Sequence, residues 1–241
     1  MKKFNIACTY GAWGGGPIIQ PLVTGLQNLG LEQTSSISLI GHDGDPFTSS
    51  MGSLSLRDYE DDILEKLPAG EVVGVGHSMT GVCWFNLAQR FPEKIKGVVM
   101  IDPPMLGGGA DIRVTKALLS KPWRYIRPLL TNGLFTPTRE DAKMMLFNGE
   151  ESPHLDIITR QPAAGRAILQ MLLGRLPRQS KRPCAVVIAG GSRLHPSKQK
   201  IKWSQAIHCL CEEFWDESHC GILGNTYLPQ VIGNLIARVA L

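Results

Sequence analysis

Val72-Val73-Gly74-Val75-Gly76-His77-Ser78-Met79-Thr80-Gly81 carries an apolar run straight into a glycine-flanked serine. The valines favour a buried strand and Met79 to Arg90 reads as a helix, so Ser78 falls where a strand turns sharply into a helix. Such a turn leaves Oγ exposed and points the next backbone N–H at the oxygen of an attacked carbonyl. Glycine at 76 and 81 lets the chain turn without a Cβ clash. A lone serine hydroxyl ionises too weakly to attack, so this reading requires a base within hydrogen-bond reach. The plainer alternative, a glycine-rich turn with an incidental serine, leaves the order of strand, turn and helix without a reason.

The same alternation extends outward from this centre. Lys3 to Thr9 reads as a strand and Tyr10 to Gly16 as a loop, followed by a helix from Pro17 to about Leu29 with Gly30 as its stop. Ser36 to Ile40 reads as a second strand. A helix over Leu56 to Leu67 then places Leu56, Tyr59, Ile63, Leu64 and Leu67 on one face. Beyond the serine come a strand Lys96 to Ile101, a long insertion and a strand Cys184 to Ala189. A helix near Pro196 to Ile207, a strand Leu210 to Trp215 and a helix Leu228 to Ala240 complete the chain. This pattern predicts one α/β domain, a mostly parallel sheet with helices on both faces. Its core would be residues 1–102 and 183–241, interrupted by an insertion at about 103–182.

Composition narrows the function classes. The chain has 241 residues, 43% of them apolar, which suits a globular domain of this size. No apolar stretch reaches the roughly 18–20 residues needed to cross a bilayer, and the short run ending at Cys8 reads as a strand, so a cytoplasmic protein is expected. Six cysteines show no C-x-x-C spacing for zinc or redox chemistry, so no metal is expected and buried free thiols are. The formal net charge is +4, but residues 103–182 hold thirteen Lys and Arg against six Asp and Glu, while the remainder holds twelve against fifteen. Without a binding motif or aromatic interleaving, that local excess does not point to nucleic acid. Nothing in the sequence requires a cofactor: no G-x-G-x-x-G follows a strand, and Gly14-Gly15-Gly16 lacks the Lys-Ser/Thr of a phosphate loop.

These residues resemble the α/β-hydrolase superfamily, over nearly the whole chain apart from the insertion. The first loop, Tyr10-Gly11-Ala12-Trp13, is similar to the His-Gly-Ala-Trp of small plant-type esterases and hydroxynitrile lyases. The resemblance implies an oxyanion hole from the backbone N–H groups of Ala12 and Met79, and a pocket bordered by Tyr10, Trp13 and His77. It places the general base after the last strand, where His219 stands in Asp216-Glu217-Ser218-His219-Cys220-Gly221. The other histidines, His42, His154, His195 and His208, lack such a context and read as structural or surface residues.

Three departures qualify the resemblance. The loop that usually supplies the acid reads Gly190-Gly191-Ser192-Arg193-Leu194-His195-Pro196 and holds no carboxylate; Asp102, ending the strand after the nucleophile helix where some superfamily members carry their acid, either offers a substitute or only caps the turn before Pro103-Pro104, which would leave a Ser-His dyad. Thr80 stands where the elbow usually has glycine, which predicts crowding. Cys220 follows His219 where the hydroxynitrile lyases have lysine, which argues against cyanohydrin cleavage. The insertion lies where the superfamily puts a helical cap, and short amphipathic segments at Leu118–Leu119, Leu129–Leu130, Met144–Phe147 and Ile168–Leu173 would cover an apolar pocket. Arg175, Arg178, Lys181 and Arg182 form a basic cluster, either a solvated face or a landing site for an anionic substrate or acyl-carrier protein. The expectation is a serine-dependent hydrolase or acyl transferase acting on a medium-sized, largely apolar ester, lactone or thioester. The missing acid and Thr80 keep open non-hydrolytic acid–base chemistry on a polyketide-like substrate, and a ligand receptor that retains only the pocket.

Overall fold

The computed structural model describes residues 4–44, 49–104, 119–173, 180–193, 207 and 209–240. Six strands, β1 (Asn5–Thr9), β2 (Thr34–Ser36), β3 (Val72–His77), β4 (Ile95–Ile101), β7 (Cys184–Ala189) and β8 (Cys211–Trp215), form one sheet in the order β2-β1-β3-β4-β7-β8. Every pair in it is parallel. Each strand after the first therefore needs a crossover, and helices α1 (Gly16–Asn28), α2 (Leu56–Glu65), α3 (Met79–Arg90) and α8 (Leu228–Val239) cover the sheet.

The register assigns these helices to the two faces. Gly74 on β3 pairs with Val98 on β4, so its neighbour Gly97 points the opposite way. A Cβ on Gly74 would strike Trp84 of α3, whereas one on Gly97 would strike Val239 of α8. Helix α3, with α2 packed on it, thus lies on one face, and α8, with α1 packed on it, on the other. Strand β3, at the centre, is buried at all six positions, as a strand covered from both sides must be.

The second strand lies earlier than its apolar pattern predicts. Ile37 and Leu39 are buried, yet the ladder stops at Ser36. The reason is competition for backbone donors: Leu39 N–H donates to the Tyr10 hydroxyl and Ile40 N–H to the Asp62 carboxylate, so the expected strand is tied by side chains instead. The helix expected near Pro196 to Ile207 lies outside the described residues except for Ile207.

Between β4 and β7 the chain forms α4 (Pro122–Leu130), α5 (Arg139–Leu146), α6 (Leu155–Arg160) and α7 (Gly165–Leu173), with a short antiparallel ribbon of β5 (Leu134–Phe135) and β6 (Ala163–Ala164). Trp13 in the first loop donates its indole N–H to the Phe135 carbonyl at 2.9 Å, which pins this segment over the carboxyl ends of the strands. Leu119, Trp123, Leu130 and Met144 face solvent, so the apolar residues of the segment are only partly used in sealing it to the sheet.

The elbow itself depends on the glycine before it. A Cβ on Gly76 would lie 2.6 Å from the Gly81 nitrogen and 2.6 Å from the Thr80 carbonyl, all backbone atoms that cannot rotate away. Gly76→Ala should destabilise the protein by about 1–3 kcal/mol, the usual range for overpacking a tight core, measured by urea unfolding. An unchanged midpoint would mean that α3 is free to shift.

Candidate active site

Two adjacent strand ends set the site. The Ser78 N–H continues the β3 ladder by donating to the Ile101 carbonyl at 2.9 Å, and the Asp102 N–H does the same from β4 to the Val187 carbonyl at 2.7 Å. Immediately after those bonds both residues enter the left-handed region, with φ of 55° at Ser78 and 43° at Asp102. Side chains rarely adopt this conformation, and here two neighbouring strand ends hold one each. Thr80 is fully buried in the elbow, and its hydroxyl folds back and donates to the His77 carbonyl at 2.9 Å.

His219 arrives from the far edge of the sheet. Strand β8 ends at Trp215, two strands away from Asp102, and the following loop crosses back over the end of β7. It passes so close that a Cβ on Gly191 would lie 2.8 Å from the Glu217 carbonyl oxygen. This close pass accounts for the glycine at 191. Asp102 supplies the charge from the neighbouring strand. Its Oδ2 lies 2.5 Å from His219 Nδ1, and its Oδ1 accepts from the Ala189 N–H at 2.9 Å. His219 Nε2 lies 2.9 Å from Ser78 Oγ. Asp102 is fully buried and His219 nearly so, whereas Ser78 keeps part of its surface open.

His77 holds the imidazole loop from below. Its Nε2 lies 2.9 Å from the His219 carbonyl oxygen and its ring packs 4.6 Å from the His219 ring. The Cys220 N–H, one residue on, donates to the Leu146 carbonyl at the end of α5. The loop is thereby fixed to both the sheet and the intervening segment.

A small cavity of about 20 Å³, room for roughly one water, opens over the serine. Gly11, Ala12, Trp13, His77, Ser78, Leu146, Ile158 and His219 border it, among others. Trp13 and His77 thus stand where they were expected. Tyr10 does not: it is absent from that lining, is fully buried, and donates its hydroxyl to Asp43 at 2.6 Å. The first loop crosses directly over the elbow, since a Cβ on Gly11 would lie 2.8 Å from Ser78 Cβ and 3.4 Å from Oγ. The backbone N–H groups of Ala12 and Met79 have no acceptor among the described residues, which leaves both available as donors at the two sides of the serine.

The sequence reading missed Asp43, which organises that loop. Its carboxylate accepts from Tyr10, Ser38 and the Gly16 N–H at the start of α1. Burial works against the charge, but these three donors outweigh it and hold the Asp43 carboxyl below its ordinary pKa. A depressed value stabilises the fold fully above the unfolded pKa, about 3.9, and the contribution is lost as pH falls through the lower folded value. Asp43→Asn should therefore unfold at lower urea than wild type near neutral pH, and the difference should shrink in strong acid. A difference independent of pH would place the effect in shape rather than charge.

The sequence profile of the alpha/beta hydrolase family matches residues 9–224. The chain belongs to the α/β-hydrolase family. No curated protein sequence matches this hydrolase. Among solved structures, an extracellular α/β-hydrolase from a Paenibacillus species, described as sharing structural and functional homology with tobacco salicylic acid binding protein 2, superposes with a TM-score of 0.69. The pair is 14% identical and the match covers 98% of this hydrolase and 99% of that chain. Polyneuridine aldehyde esterase matches at 0.68 with 16% identity over the full length of both chains. A methylesterase from Arabidopsis matches at 0.66 with 15% identity over 98% of each. At these identities the likeness concerns the fold of the hydrolase.

Lys181 Nζ donates to the Gln89 carbonyl and Arg182 Nε to the Pro92 carbonyl, so these two cations staple the entry to β7 onto the end of α3; Arg175 and Arg178 lie outside the described residues. Of the other histidines, His42 is buried against the Ala12 and Ile40 carbonyls, and His195 and His208 lie outside the described residues. Among the described residues no helix is long and apolar enough to cross a membrane.

Proposed function

We propose that this α/β hydrolase is a serine esterase that cleaves medium-sized, largely apolar acyl esters. One observation carries the reading: Ser78, His219 and Asp102 form a continuous hydrogen-bonded line from a partly open hydroxyl to a fully buried carboxylate. In that line the Asp102 carboxylate accepts a hydrogen bond from the Nδ1–H of His219, which leaves the Nε2 lone pair facing Ser78 Oγ. Oγ attacks the acyl carbon as Nε2 takes its proton, and the developing oxyanion is held by the Ala12 and Met79 N–H groups. The imidazolium then protonates the departing alcohol. Water, activated by the same imidazole, cleaves the acyl-enzyme and restores the serine.

The apolar character of the walls supports an apolar acyl group. Trp13, Ile18, Leu146 and Ile158 are apolar and lie around the serine, while the polar groups converge only at the reacting atoms. We assign the described helices between β4 and β7 the part of a cap over this pocket, with Leu146 and Ile158 as their contribution. A missing acid and the departure at Thr80 kept non-hydrolytic chemistry open; the Asp102 contact with His219 and the Thr80 bond to His77 support the hydrolytic reading.

The reading is tested by intact-mass analysis after a fluorophosphonate probe, together with hydrolysis of a series of p-nitrophenyl esters. One adduct on Ser78 and turnover that favours apolar acyl chains is expected. Folded protein that takes no probe and turns over no activated ester would end the esterase reading.

A further inference from the structure

We propose that the cavity over Ser78 is also an inhibitory binding site for a borderline or soft divalent cation such as zinc, held by His77, His219 and Cys220. This inference rests on the esterase reading only for its consequence, inhibition. The binding site stands on its own geometry. One donor atom from each of the three residues lies within 4.8 Å of the others, and all three residues border the same water-sized cavity. A four-coordinate zinc with nitrogens at about 2.0–2.1 Å and sulfur at about 2.3 Å holds its donors roughly 3.3–3.8 Å apart. The donors therefore need to close by up to about 1–1.5 Å, the sulfur by a cysteine rotamer change and the two imidazoles by ring tilts.

The surroundings favour such an ion. Asp102 on Nδ1 of His219 leaves Nε2 as the ligating nitrogen, the arrangement of a carboxylate standing behind a metal-bound histidine. His77 Nδ1 faces the same space: it lies 3.2 Å, and Ser78 Oγ 3.4 Å, from the point a Gly11 Cβ would occupy. On binding, the Ser78 hydrogen bond to Nε2 breaks, Nε2 and a His77 nitrogen donate lone pairs, and the Cys220 proton leaves to water. A dication facing one thiolate and the Asp102 carboxylate is balanced in charge, as a buried site requires. Nitrogen and sulfur donors exclude magnesium and calcium. Cys220 is the decisive residue, because it adds the soft ligand to two histidines that the fold already brings together.

The experiment is a titration of the wild-type protein with cobalt(II), followed by absorption, alongside zinc inhibition of p-nitrophenyl ester hydrolysis. A thiolate-to-cobalt charge-transfer band should appear and be lost in Cys220→Ser and Cys220→Ala. Zinc should inhibit reversibly, with EDTA restoring the rate and magnesium without effect. Loss of an outer-shell partner costs about 10–100-fold in metal affinity, so loss of a direct ligand should raise the half-inhibiting zinc concentration at least about tenfold. Each variant is compared with its own zinc-free rate. If the protein is no esterase, the cobalt band still decides the site. Absence of the band in folded wild-type protein, or zinc sensitivity equal in wild type and both Cys220 variants, overturns the proposal.

Discussion

Ser78→Ala should lower kcat/KM for an activated ester by about 10⁴-fold or more, equivalent to roughly 5.5 kcal/mol of lost transition-state stabilisation, with folding intact. The substitution removes one oxygen and keeps Cβ, so neither the 55° φ at this position nor the Ile101 hydrogen bond changes. His219 loses its Nε2 partner, but a water in the adjoining cavity can take the place of Oγ. What disappears is the atom that becomes acyl-bound. The residual rate reports the Ala12 and Met79 donors and binding alone, and it should be insensitive to fluorophosphonate. Steady-state kinetics on both proteins, with circular dichroism as the folding control, provide the measurement. A variant that keeps more than about a tenth of wild-type kcat/KM would remove Ser78 from the chemistry, since a lost nucleophile costs far more than 1.4 kcal/mol.

Asp102→Asn is expected to reduce kcat by about 10³–10⁴-fold, with little change in KM. The carboxylate has two separate duties. Oδ1 accepts from the Ala189 N–H, and the amide oxygen of asparagine can still do so, which keeps the strand ends together. Asparagine also tolerates the left-handed conformation required at 102. The second duty fails. Oδ2 is replaced by an NH₂ group that points at Nδ1, and the imidazole must turn its lone pair to Nδ1 to accept from it. Nε2 then carries the proton and cannot receive one from Ser78. Labelling by fluorophosphonate should slow in proportion to kcat, whereas the urea midpoint should stay near wild type. Labelling as fast as wild type would exclude Asp102 as the partner of His219 and leave the imidazole to act alone.

The contrast between Tyr10 and Trp13 shows how far the residues of the first loop could be read. Both flank Gly11-Ala12, and both were expected to border the pocket. Trp13 does, but the Tyr10 hydroxyl is turned to Asp43, a carboxylate 33 positions away whose position no local pattern signals. Cys220 illustrates the same limit. Its replacement of lysine was visible, but that its sulfur joins two imidazoles depends on His77, 143 positions earlier, meeting the loop after β8.

Local chemistry along the chain determined the parallel α/β organisation and the sharp turn at Ser78, because hydrophobic period, glycine placement and helix starts act over a few residues at a time. The resemblance to the α/β-hydrolase superfamily marked His219 and Asp102 as candidates, without saying whether they meet. Tertiary structure alone decided that they do. The register of β3 against β4 brings Ser78 and Asp102 side by side, and the crossing of the last loop over Gly191 delivers His219 between them. Those contacts span 117 and 141 positions, and only packing of the whole sheet sets distances on that scale.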